Sequence, residues 1–186
     1  GYIEDPYFEL NSLKCEWVEN RWWMYKTVFP MDRALEDRML TLVFKGIDYK
    51  AYFYLNGERL GEQEGMYEAV SFDITGRVSF DSDNELVVLL EHAPKEMGQI
   101  GCTSLTKTQK SRFNYKWDFS TRLVNIGIWE DVLIKATGKL TLQDTFVSTG
   151  VENGTGFINI RSKIVGNIKE HCCVKVFIDF KGEKIE

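Results

Sequence analysis

Short runs of β-branched and aromatic residues, each ended by a turn signal, recur from Trp22 to Phe180, and this spacing constrains the chain more than any other feature. Met39-Leu40-Thr41-Leu42-Val43-Phe44 and Glu85-Leu86-Val87-Val88-Leu89-Leu90-Glu91 have the length of buried strands and are too short for stable helices. Trp22 to Phe29 and Tyr49 to Leu55 supply two more strands. Asn56-Gly57 follows Leu55 directly. That pair accepts the positive φ angles of a type I′ turn, so the chain is expected to reverse into Glu58-Arg59-Leu60-Gly61. A strand at Glu68 to Phe72 leads into Asp73-Ile74-Thr75-Gly76, and Ile128 to Ile134 closes a first unit near Gly138. Between Ala93 and Ser111 the stretch is polar and carries Gly98, Gly101 and several Thr and Lys, which reads as a long surface loop.

Three more alternating runs follow, at Leu140 to Ser148, Phe157 to Val165 and Cys173 to Phe180. A β-sandwich usually needs about seven strands, so three form only part of one. The expected organisation is one all-β domain over residues 1–138 and the truncated beginning of a second over 139–186. Composition agrees, since 5 Trp, 8 Tyr and 12 Phe against 3 Pro supply bulky strand-favouring side chains. Neither a tandem repeat nor an amphipathic helix is evident.

Charge and residue inventory exclude several function classes. With 23 basic and 28 acidic side chains the net charge is −5, the wrong sign for a surface that tracks phosphates, so no nucleic-acid partner is expected. No apolar run approaches the ~20 residues of a membrane helix, and no membrane partner is expected. Cys15, Cys102, Cys172 and Cys173 read as four free thiols, because adjacent cysteines on a strand point to opposite faces; this favours a reducing, cytoplasmic compartment. His92 and His171 are too few for a metal centre, and His171-Cys172-Cys173 diverges along a strand. No nucleophile elbow surrounds a serine, no glycine run opens a phosphate loop, and no cofactor is implied. Asn84-Glu85, just before an apolar strand, reads as a turn.

One segment mixes aromatics and charges closely: Arg112-Phe113-Asn114-Tyr115-Lys116-Trp117-Asp118-Phe119-Ser120-Thr121-Arg122-Leu123. An indole face packs on sugar C–H groups, and a carboxylate accepts hydrogen bonds from hydroxyls. Two geometries are open. In a regular strand Tyr115, Trp117 and Phe119 share an inward face and leave Lys116 and Asp118 in solvent. In a loop or bulge, Trp117 and Asp118 can face one ligand.

Several ordered pieces resemble the β-mannosidase branch of glycoside hydrolase family 2. Gly1-Tyr2-Ile3-Glu4-Asp5-Pro6-Tyr7-Phe8 with Asn11 is similar to that branch's Gly-x-Ile-x-Asp-Pro-aromatic-aromatic opening, and Trp22-Trp23-Met24-Tyr25-Lys26-Thr27-Val28-Phe29 to its Trp-x-Tyr-x-x-x-Phe strand. Tyr54-Leu55-Asn56-Gly57 with Gly61, Gly65 and Phe72-Asp73-Ile74-Thr75 resembles the hairpin signature of the wider family. Tyr115 to Leu123 followed by Gly127-Ile128-Trp129 resembles its Trp-Asp-Trp-Gly-Pro-Arg-Leu and Gly-Ile-Trp segment.

The resemblance implies a jelly-roll, galactose-binding-like β-sandwich, then an immunoglobulin-like β-sandwich beginning near Leu140, then a (β/α)8 barrel that carries both catalytic glutamates. It implies substrate-binding roles for Trp117 and Asp118, a terminal β-mannoside as the carbohydrate partner, and the catalytic barrel of the same chain as the structural one. No catalytic residue is expected within these 186 positions. The alternative is a free carbohydrate-binding sandwich without hydrolase activity. Phe119-Ser120-Thr121 departs from the family's Trp-Gly-Pro. Family members also carry a strand before the segment matched by Gly1, so an unpaired edge or an incomplete sandwich is expected.

Overall fold

The computed structural model describes residues 3–95, 106–166, 173–180 and 183–185. The chain forms two compact units, Gly1–Ala136 and Thr137–Glu186. In the first, the strands are β1 (Trp23–Phe29), β2 (Met39–Phe44), β3 (Ile47–Asp48), β4 (Lys50–Leu55), β5 (Glu58–Glu64), β6 (Val70–Asp73), β7 (Asn84–Leu90), β8 (Gly127–Ile128) and β9 (Val132–Thr137). They form an all-β sandwich: a four-stranded sheet in the order β1-β7-β4-β5, a three-stranded sheet β6-β2-β9, and a short β3-β8 pair.

Period-two alternation decides which side chains meet. Ala51, Phe53 and Leu55 on β4 and Leu86, Val88 and Leu90 on β7 are buried, while their chain neighbours are half-exposed. These residues face Leu40, Leu42 and Phe44 of β2, and Ile74 completes the cluster. Phe53 joins the two sheets, its ring 4.6 Å from that of Phe44 and 4.8 Å from that of Phe72, both tilted. Gly61 on β5 makes the second contact possible, because a Cβ there would lie 2.8 Å from the Phe72 ring.

The Asn56-Gly57 reversal has φ angles of 51° and 82°, as a type I′ turn requires. Asn84 opens β7 and organises this end of the sheet. It is fully buried; its Nδ2 donates to Ser79 O at 2.8 Å, and its Oδ1 accepts from Ser79 N at 2.7 Å and from Asn56 Nδ2 at 2.9 Å. The turn expected at Asn84-Glu85 is thus a strand start whose amide holds the preceding 79–83 loop. Thr75, in the motif after β6, accepts a hydrogen bond from Leu40 N at 2.9 Å and ties that turn to β2.

On the other side of the sandwich the core is open. Thr27, Phe29, Leu42, Leu86, Val132 and Ile134 line an apolar groove of about 370 Å³ between β1 and β9. No strand among the described residues pairs with the outer edge of either.

The second unit holds a long ribbon, β10 (Leu140–Glu152) with β11 (Thr155–Gly166), and a short hairpin, β12 (Ile178–Phe180) with β13 (Glu183–Ile185). The ribbon turns on Asn153-Gly154, with φ angles of 51° and 79°, a second Asn-Gly reversal that lengthens both strands beyond their expected limits. Register puts Leu142, Val147, Val151, Ile158, Ile160 and Ile164 on one face, and all are exposed. Within Cys173 to Phe180 only the last three residues form a strand, because β13 pairs only with them.

Asn84→Ala removes three hydrogen bonds from a fully buried position. It should lower unfolding free energy by about 3 kcal/mol in urea denaturation of the 186-residue chain, with little change in the slope.

Candidate functional site

Two 3₁₀ turns, Asn11–Cys15 and Val18–Asn20, carry the chain from the N-terminal motif to β1. Asp5 shapes the opening: its Oδ1 accepts from Tyr7 N at 2.9 Å, and its carbonyl accepts from Asn11 Nδ2 at 3.1 Å. The Trp23 indole donates to Val18 O at 3.0 Å and packs 5.7 Å from Trp17. Ala93 N donates to Glu19 O at 2.8 Å, so Glu19 is held beside the chain that leaves β7.

Residues 113–123 form a closed loop. A 3₁₀ turn at Phe113–Tyr115 begins it, and Leu123 N donates to Asn114 O at 2.8 Å to close its base. At the tip Trp117 N donates to Ser120 O at 3.0 Å, and Ser120 N donates back to Trp117 O at 3.4 Å. Lys116 has φ 107° and ψ 138°, backbone that glycine occupies far more readily than lysine. This kink breaks strand alternation. Tyr115 points inward, 3% exposed and packed with Ala93 and Val124, while Phe119 is 71% exposed. The inward-strand alternative for Tyr115, Trp117 and Phe119 is therefore overturned: no strand forms here.

Half-buried Trp117 and exposed Asp118 line the same depression, about 420 Å³, together with Leu13, Glu16, Lys116 and Arg122. The Phe119 ring lies 6.2 Å from that of Trp117 and 5.6 Å from that of Phe113. An indole wall and a free carboxylate beside an open hollow can hold a polyhydroxylated ligand by stacking and hydrogen bonds.

Beneath the loop lies a group of buried charges. Asp48, on β3, pairs with Lys110, each side chain 2% exposed, and Lys110 Nζ also donates to Asn125 O at 2.6 Å. Arg122 pairs with Glu19, donates through Nη1 to Tyr115 O at 3.1 Å and stacks with its Cζ 5.6 Å from the Tyr115 ring centre. The Tyr115 hydroxyl donates to Pro94 O. Among the described residues, one oxygen of each carboxylate, Glu19 Oε2 and Asp48 Oδ1, has no partner. Burial pushes the Asp48 carboxyl up, opposed by Lys110; burial pushes the Lys110 ammonium down, opposed by Asp48. Burial, with Asp48 and Glu19 nearby, raises the Tyr115 hydroxyl well above the usual phenol range.

The surface loop expected between Ala93 and Ser111 is corrected at both ends, since Ala93 and Lys110 are buried. Residues 96–105 lie outside the described residues. Sequence reasoning missed Glu19, Asp48 and Lys110. Arg122 and Glu19 are 103 positions apart, and Lys110 and Asp48 are 62 apart, so no local pattern links them. His171 and Cys172 of the cluster considered for metal lie outside the described residues, and no metal-ligating group of three or more appears among those described. Cys15 and Cys173 are free thiols.

The family profile of the glycosyl hydrolase 2 galactose-binding domain-like group matches residues 1–130. Beta-mannosidase B of Emericella nidulans is 28% identical over 148 residues, covering 73% of this chain and 18% of the relative. Beta-mannosidase B of Aspergillus terreus is 26% identical, covering 98% of this chain and 23% of the relative. The crystal structure of β-D-mannosidase from Dictyoglomus thermophilum superposes with a TM-score of 0.75 at 28% identity, covering 87% of this chain and 21% of that one. The chain thus spans about a fifth of the length of the curated relatives it matches.

Lys110→Met leaves Asp48 buried without its cation and should cost about 3–5 kcal/mol at pH 8. A carboxyl whose folded pKa lies above its unfolded value, ~3.9, favours folding only while protonated, so this deficit should shrink as pH falls from 8 toward 5. Urea midpoints at the two pH values check the sign, and adding Asp48→Asn should restore most of the loss. Lys116→Gly relieves about 1–3 kcal/mol of backbone strain against about 0.5–1 kcal/mol of added chain entropy, so a net gain near 1 kcal/mol is expected in the same assay.

Proposed function

The chain belongs to the glycosyl hydrolase 2 galactose-binding domain-like family, and from that membership we infer that it is the non-catalytic part of a retaining glycoside hydrolase that cleaves terminal β-linked mannosides. The hollow at the tip of the 113–123 loop carries this reading, because the family resemblance puts a Trp-Asp pair at the sugar pocket and both members of that pair line one surface here. Trp117 then forms an apolar wall for a sugar ring, and Asp118 accepts hydrogen bonds from its hydroxyls. The names of the fungal and bacterial relatives support a mannoside as the substrate class.

The reaction needs two carboxyl groups about 5 Å apart, one as nucleophile and one as acid and then base. In this reading a barrel of the same polypeptide supplies both, and the sandwich completes the pocket from one side. The proposed domains are residues 1–138 as the jelly-roll sandwich and 139–186 as the first strands of an immunoglobulin-like sandwich. The exposed apolar face of the β10–β11 ribbon supports the latter, since such a face requires further strands to cover it.

In the intact hydrolase, Asp118→Asn should lower kcat/KM for an aryl β-mannoside about tenfold or more, the loss expected for one charged hydrogen bond. Trp117→Ala should act mainly on KM. Steady-state kinetics that leave both parameters unchanged would remove the loop from the site. Calorimetry of the 186-residue chain alone against mannosides should show no binding; measurable binding would favour a free carbohydrate-binding module.

A further inference from the structure

We propose that Arg122, anchored by Glu19, is a positioning residue that holds Trp117 and Asp118 toward the ligand; this rests on the sugar-pocket reading of the loop. The loop is tied at its base by Asn114 and Leu123 and at its tip by Trp117 and Ser120. Between these ties its two limbs are braced by one side chain. Arg122, on the returning limb, donates through Nη1 to Tyr115 O on the outgoing limb at 3.1 Å and lies over the Tyr115 ring at 5.6 Å.

That brace has fixed ends. Tyr115 is buried and its hydroxyl is bonded to Pro94 O, so the outgoing limb cannot swing. The guanidinium is gripped from a separate element by the Glu19 carboxylate, whose side chain is only 10% exposed. Glu19 is itself fastened through its carbonyl to Ala93 N at 2.8 Å. The brace adjoins Lys116, whose positive φ is uphill for a lysine and persists only where surrounding contacts over-determine it. That same kink decides that Trp117 and Asp118 line the hollow rather than alternate across a strand.

Arginine is required for geometric reasons. One planar group must bond a carbonyl, bond a carboxylate and stack on a ring; a lysine ammonium offers a point charge without the fork or the plane. Arg122 also lines the depression, so loosening it disturbs the floor on which both neighbours sit.

The test is a mutant cycle on the intact hydrolase with an aryl β-mannoside. Arg122→Lys should lower kcat/KM about fivefold, and Glu19→Gln, which keeps shape and acceptor while removing charge, about threefold. In a Trp117→Ala/Asp118→Asn background, where nothing is left to position, each should have less than about a twofold effect. A merely structural role predicts the same loss in both backgrounds, and that result would overturn the proposal. So would full activity of both single variants. If Arg122→Lys fails to fold, by its thermal midpoint, the Glu19→Gln cycle decides alone. If the Trp117→Ala/Asp118→Asn protein itself keeps full kcat/KM, the sugar-pocket reading has failed, an outcome distinct from a costly background in which the Arg122 effect persists undiminished.

Discussion

Four charged side chains placed around one buried tyrosine, at one end of the sandwich, are the constraint on which the posture of the 113–123 loop depends. Asp48 and Lys110 are almost fully desolvated, a state that stands only because each supplies the other's counter-charge and Lys110 finds a second acceptor in Asn125 O. Glu19 and Arg122 repeat the arrangement at a shallower depth. The partners come from β3, the turn before β1, the stretch before the loop and the loop itself. Separate chain segments are thereby fixed to one another at the point where Trp117 and Asp118 emerge.

The sandwich supplies the rigid platform. Phe53 bridges the two sheets through Phe44 and Phe72, and strand alternation delivers the rest of the core to the same interior. Loops that carry binding residues gain accuracy from such scaffolds, because their ends are fixed while their tips remain free of the core. Here the division is sharp. Tyr115 is buried; Trp117, two residues on, is half-exposed, and Asp118 and Phe119 are exposed. The left-handed backbone of Lys116 is what permits the change of side over so short a distance.

Much of the fold was legible because period-two patterning and Asn-Gly chemistry are local signals. The strand from Met39 to Phe44, the reversal at Asn56-Gly57 and the strand entering Leu90 need no distant partner to be read. Asn153-Gly154 carries the same signal, and the reversal there extends the ribbon beyond the expected Leu140 to Ser148 and Phe157 to Val165. Asn84 shows the limit from the other side: a turn-forming residue type sits buried at a strand start because the 79–83 loop and Asn56 fold back on its amide. At the site, the mixture of aromatics and charges located the segment, but whether it formed a strand or a loop stayed open.

What the amino-acid sequence by itself determined was the all-β class, most strand positions and the place of the segment that mixes aromatics with charges, since each follows from side chains within a few residues of one another. What only the tertiary structure decided was the posture of that segment. Glu19, Asp48 and Lys110 gather under it from distant positions, and burying charge demands a partner without specifying where along the chain that partner lies.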